Sequence, residues 1–223
     1  MNSIEFGNIF IFASSNTLTK TKASIAHSVF LEHGFGGFIG DSNIVSSIQD
    51  IVRPDKNVVC SVGVPFCGLQ NDLIMNSLIY LESISDIKFD SFMIPLNKYD
   101  IENGNWENIR LFVRESVDLV DKDIYLSIDP TWFENPEDLS RIYSIISSFS
   151  SIKPVLNLNS ARKNGLDGII KTVGSVCQSN STNKTSVFCT KLNNHSLIVN
   201  AKSYGFENVI ISPSMAVSFS REY

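Results

Sequence analysis

Lys191 and Asp129 are the two residues of this chain best placed to do covalent or proton-transfer chemistry. A lysine amine attacks a carbonyl only when neutral, so a reacting lysine needs a site that lowers its pKa by desolvation or by a neighbouring cation. A carboxylate such as Asp129 moves protons as a general acid or base, or else caps a helix or pairs with a cation. Each of the two follows directly on a strand-like apolar run, as do Asn97, Asn159, Ser212 and Ser214, whose neutral groups suit the hydroxyls or phosphate of a small ligand. Lys98 lies in a similar place, whereas Lys153 begins its run instead of ending it. No Ser/His/acid constellation is readable, and His27, His33 and His195 have no ligand spacing against Cys60, Cys67, Cys177 and Cys189. With no trio of carboxylates at the same ends, neither a metal nor a cofactor is expected.

The elements that must position these residues alternate along the whole chain. Apolar, β-favouring runs at 9–13, 35–40, 57–64, 89–96, 124–128, 154–159, 185–190 and 207–212 read as strands. Helical periodicity follows each one, at 21–33, 42–52, 73–84, 106–119, 136–149, 165–177, 196–204 and 213–220. Gly34 is placed to stop the first helix, and Asn135 followed by Pro136 is a cap-and-first-turn signal for the fifth. Eight strand–helix units in one run predict a parallel sheet closed as an α/β (β/α)8 TIM barrel, a single domain over residues 1–223. No G-x-G-x-x-G follows the first strand, against a dinucleotide-binding sheet. In such barrels the reacting groups sit at the C-terminal ends of the strands, which is where Lys191, Asp129 and their polar neighbours fall.

Composition narrows the class of partner. With 223 residues, 43% of them hydrophobic, and a net charge of -5, the chain can bury a core and lacks the basic stripe of a nucleic-acid binder. Its longest apolar runs are far too short to span a membrane, and the first residues lack a basic segment followed by an apolar stretch, so no membrane association or secretion is expected. The four cysteines read as buried small hydrophobes of a cytoplasmic protein, and the N-x-S/T matches at Asn180, Asn183 and Asn194 as chance.

Four stretches resemble the deoxyribose-phosphate aldolases, class I aldolases with a (β/α)8 fold. Glu32-His33-Gly34-Phe35-Gly36-Gly37 is similar to the family's helix end and second strand. Val62-Gly63-Val64-Pro65-Phe66-Cys67-Gly68 resembles its turn after strand three, one residue out of step. Asn97 followed by Gly104-Asn105-Trp106-Glu107-Asn108-Ile109-Arg110 resembles the approach to its fourth helix. Asp129 stands for the glutamate ending strand five, with Trp132-Phe133-Glu134-Asn135-Pro136-Glu137 matching the next helix entry.

The resemblance implies a retro-aldol reaction on a small sugar phosphate, with an imine-forming lysine on strand six, a pKa-lowering lysine on strand seven and a proton-moving aspartate on strand four. Carried over by position, the aspartate falls on Met93, the imine lysine on Val155 (Leu156 or Lys153 under a register shift) and the second lysine on Cys189. The phosphate-binding glycines fall near Leu192 and Asn193, the strand-one acid and threonine on residues 12–15, and at strand eight Ser212 or Ser214 remains. Three readings stay open. One is a divergent barrel that has lost Schiff-base chemistry and binds a small, phosphorylated or unphosphorylated metabolite or a protein partner, as a monomer or homo-oligomer. Another is an aldolase-type lyase with Lys191 as a relocated nucleophile assisted by Asp129. The last is an ordinary aldolase in which a two-residue slip brings Lys153 to the imine position.

Overall fold

The computed structural model describes residues 6–13, 28, 32–48, 56–64, 70–84, 86–133, 135–160, 175, 184–190, 198 and 200–222. Eight parallel strands close into a barrel in sequence order: β1 (Ile9–Ala13), β2 (Gly37–Gly40), β3 (Asn57–Ser61), β4 (Ser91–Pro95), β5 (Asp123–Ile128), β6 (Ile152–Asn157), β7 (Thr185–Phe188) and β8 (Phe206–Ile211). β8 pairs back onto β1 through Phe10 and Ile210. Tracing the register from Phe10 through Gly37 and Asn57, and extending it across β4, reaches position 121 of the β5 ladder. Tracing it the other way, through Ile210, Phe188 and Asn157, reaches position 129. That eight-residue stagger is what a closed sheet of eight tilted strands requires.

Strand burial is almost unbroken, because both faces of the sheet are covered. Alternation divides the apolar residues into two sets. Ile9, Ile11, Phe92, Ile94, Leu126, Ile128, Leu156 and Cys189 join the large cluster that packs against the helices. Phe10, Phe12, Ile39, Val59, Val64, Met93, Tyr125, Val155, Phe188 and Ile210 form a separate cluster, the filling of the barrel itself. Gly37 makes that filling possible: a side chain there would collide with the Phe10 ring and come within 2.7 Å of the Asn57 carbonyl oxygen.

The helices between strands are α1 (Ser42–Ile48), α2 (Asn71–Ser83), α3 (Lys98–Glu102), α4 (Trp106–Leu119), α5 (Pro136–Ile146) and α6 (Pro213–Glu222). Helix α4 has the bounds its periodicity predicts and buries Ile109, Phe112, Val113 and Ser116, one stripe at helical spacing. At the start of α5, Asn135 accepts a hydrogen bond from the Glu137 N–H at 3.1 Å, as the cap signal predicts. Gly34 adopts a φ of 69°, fitting its role after the helical residues Glu32 and His33. Helix α3 is a departure, since five residues are too few to show a period. Strand ends also differ by a few residues: β2, β3, β4 and β7 are shorter than their apolar runs, and β6 begins at Ile152 instead of Pro154. The expected helix over 165–177, of which Ser175 alone is described (as helical), otherwise lies outside the described residues, as do Cys67, Cys177, Asn180, Asn183 and Asn194.

Candidate functional site

Alternation that starts from Tyr125 inside the barrel carries Ser127 and then Asp129 to the same inner face, at the C-terminal end of β5. The backbone at Asp129 is still extended, with φ -91° and ψ 109°, so the alternation holds one residue past the strand. Its side chain is 1% exposed. Oδ1 accepts two hydrogen bonds from Thr131, from the backbone N–H at 2.9 Å and from Oγ1 at 2.6 Å, and so starts the 3-10 turn Pro130–Trp132. The other oxygen, Oδ2, is buried with no hydrogen-bond partner, and so is the Ser127 hydroxyl two residues below.

Continued past their ends, the ladders set Asn97 and Asn157 on either side of Asp129. Asn157 is buried, and its Oδ1 accepts from the Asn159 N–H at 3.1 Å. Asn159 in turn accepts from the Thr190 hydroxyl at 3.2 Å, tying the ends of β6 and β7 together. Asn97 caps α3 instead of facing the mouth freely, with Oδ1 accepting from Tyr99 N–H at 2.9 Å. Ser212 caps α6 through the Met215 N–H at 3.3 Å, and its hydroxyl lies 3.1 Å from that of Ser214. The structure therefore brings Asp129, Asn157 and Asn159 to adjoining strand ends, while Asn97 and Ser212 cap helix starts and Ser214 lies against the Ser212 hydroxyl. Ser127 and Thr190 belong to this collar and were missed from the sequence, although the alternation Tyr125, Ser127, Asp129 carries the signal for Ser127.

Among the described residues, the positions expected to carry the aspartate and the two lysines hold apolar side chains. Met93 and Val155 are fully buried in the barrel filling, so both do face inward. On β7 the expected position is off by one: Cys189 packs toward the helices, and Phe188 is the inward residue, edge-on to Phe12 at 4.8 Å. A one-residue register change exchanges the two faces of a strand, which is why the choice mattered. Leu156 also faces the helices. Lys153 lies at the opposite end of the barrel, ion-paired to Asp123 at 2.5 Å and 5.4 Å above the Tyr125 ring, so no two-residue slip brings it to the mouth. Lys98 is exposed on α3 and paired with Glu102 at 3.2 Å. Lys191, Leu192, Asn193, His195, Pro65, Ser14 and Ser15 lie outside the described residues.

Two thiols are chemically quiet. Burial pushes Cys60 up to about 12, with the Asp41 carboxylate adding to it, and burial alone raises Cys189 to about 12. Neither is disulfide-bonded. Among the described residues no group of three or more His, Cys, Asp or Glu gathers as a metal site.

Fold and site together define a (β/α)8 barrel whose described filling carries no lysine. No family model matches the chain, and no curated protein matches it. Solved structures do. An aldolase designated QR15 superposes with a TM-score of 0.78 at 12% identity, over 100% of this chain and 98% of that one. A deoxyribose-phosphate aldolase from Aeropyrum pernix, described as tetrameric, gives 0.69 at 11% identity, over 97% and 91%. N-acetylneuraminate lyase of Proteus mirabilis is more distant, at 0.56 and 8% identity, over 93% of this chain and 70% of that one. The fold is that of the deoxyribose-phosphate aldolases. At these identities the likeness is one of backbone path, and no residue role is carried by it.

Proposed function

We propose that this protein is a deoxyribose-phosphate-aldolase-like barrel that has lost Schiff-base chemistry and binds a small polar metabolite at the C-terminal mouth of its sheet. The observation that carries the reading is the fully buried pair Met93 and Val155 at the inward positions where the family resemblance calls for a proton-moving aspartate and an imine lysine. A valine forms no imine and a methionine thioether moves no proton. The collar of Asp129, Asn157, Asn159 and Ser127 supports a binding role, since polar side chains at barrel strand ends are the usual means of orienting a small molecule. Two buried free thiols accord with a cytoplasmic setting, and among the described residues no helix is long and apolar enough to cross a membrane. Exposed Leu73, Ile79 and Tyr80 on α2 support self-association of the barrel.

The test is borohydride trapping with acetaldehyde, glyceraldehyde 3-phosphate and deoxyribose 5-phosphate, read by intact and peptide mass spectrometry. No reduced adduct is expected. The rival reading, an aldolase-type lyase with Lys191 as nucleophile and Asp129 as its acid/base partner, is favoured by the unbonded Oδ2 of Asp129. A stoichiometric adduct on Lys191 would establish it in place of ours.

A further inference from the structure

We infer that the ligand of this mouth carries a primary ammonium group beside hydroxyls, with Asp129 Oδ2 as the ammonium's acceptor, in place of the phosphate that the resemblance implies. The inference rests on the binding reading above and names its ligand class. A buried carboxylate oxygen without a donor costs one to several kcal/mol, and folded proteins leave such atoms where something else completes them. Asp129 has this oxygen on the inner face of the strand end, and the buried, unpartnered Ser127 hydroxyl lies on the same face one step deeper. One group requires a donor; the other gives or accepts. An ammonium supplies three donors and neutralises the carboxylate, and a hydroxyl on the next carbon suits Ser127.

The surroundings favour a cation over an anion. Just past the C-terminal ends of the strands the described residues include the carboxylates Asp41, Asp100 and Asp129, and Lys98, which follows β4, already pairs with Glu102. Asp100 is buried and accepts from the side-chain amides of Asn71, Asn105 and Asn108 instead of from a cation. At the start of α6, where a phosphate would need free N–H groups, Pro213 has none and the Met215 N–H is taken by Ser212. Among the described residues, then, a phosphate meets carboxylates and a capped helix, while an ammonium meets an acceptor already in place.

Isothermal titration at neutral pH with serinol, glycerol and glycerol 3-phosphate separates the chemistries, because the three share a carbon skeleton and the first and last each differ from glycerol at one substituent. Serinol is expected to bind about tenfold or more tighter than glycerol, with no measurable heat from glycerol 3-phosphate. Asp129→Asn, checked for folding by circular dichroism, should bring serinol down to the level of glycerol. Glycerol 3-phosphate binding as tightly as serinol, a serinol preference that survives Asp129→Asn, or no heat from any of the three would each overturn the inference. The wild-type ranking decides the matter even if the variant does not fold. Borohydride trapping judges the loss of imine chemistry on a separate readout, so the two claims fail independently.

Discussion

The two ends of this barrel treat their polar groups in opposite ways. At the N-terminal end, Lys153 pairs with Asp123, Lys184 with Glu207 and Lys122 with Glu82. Asn57 donates to the Tyr125 hydroxyl at 3.2 Å, Asn208 to Ser186 at 3.2 Å, and the Val58 N–H to Asp90 at 2.8 Å. Asn57 Oδ1 is the exception there, buried without a partner. At the C-terminal end the inner face of β5 holds two unsatisfied groups, Ser127 Oγ and Asp129 Oδ2, one above the other. One end closes the barrel; the other is built with its hydrogen bonding incomplete. Such local incompleteness is where a fold spends stability on function.

Between the ends lies the apolar filling, and breaking it should have the largest effect. Phe188→Ala removes the ring that packs on Phe12 from a fully buried position and should cost about 3–5 kcal/mol, read as a lowered denaturant midpoint. If it costs less than about 1 kcal/mol, the interior is not the close-packed layer that excludes chemistry from Met93 and Val155.

Alkaline titration comes next. Tyr125 is raised to about 12, first by burial and then by Glu207, Asp123 and Asp90 against the bond from Asn57, while Cys60 and Cys189 are raised to about 12 chiefly by burial. In the unfolded chain these groups release protons near pH 9 to 10, so above that range the native state holds more protons and stability falls as pH rises. The loss should start near pH 9 and run to about pH 12, at up to about 1.4 kcal/mol per pH unit for each group. Urea midpoints between pH 8 and 11 check it, and a flat profile would mean that the interior admits water.

The contrast between the ends is sharpened by two conservative variants. Tyr125→Phe leaves Asn57 Nδ2 without its acceptor and should destabilise by about 1 kcal/mol. Asp129→Asn keeps an acceptor for the Thr131 N–H but removes the charge from a buried, half-satisfied site, so stability should hold within about 0.5 kcal/mol or rise. Thermal midpoints of the two, measured side by side, carry the comparison. A large loss on Asp129→Asn, with none on Tyr125→Phe, would place the structural end of the barrel where we put the functional one.

Much of this architecture was legible in the chain. Eight apolar runs alternating with helical periods specify parallel strands with crossovers, because a strand buried on both faces must be hydrophobic throughout and a covering helix must be so on one stripe. The caps at Asn135 and Gly34 were equally plain, since each acts within a few residues of its own sequence. The site was legible only in part. Asp129 and the asparagines are recognisable as strand-end polar residues, yet whether Asn97 and Ser212 face a ligand or cap a helix depends on geometry that the letters do not carry. Which residue of β7 faces inward, Phe188 or Cys189, turned on a single step of register. A period of two says only that neighbours point oppositely. The pairing of Phe188 with Ile210 and Asn157, made between segments far apart in the chain, decides which of them fills the barrel and which meets the helices.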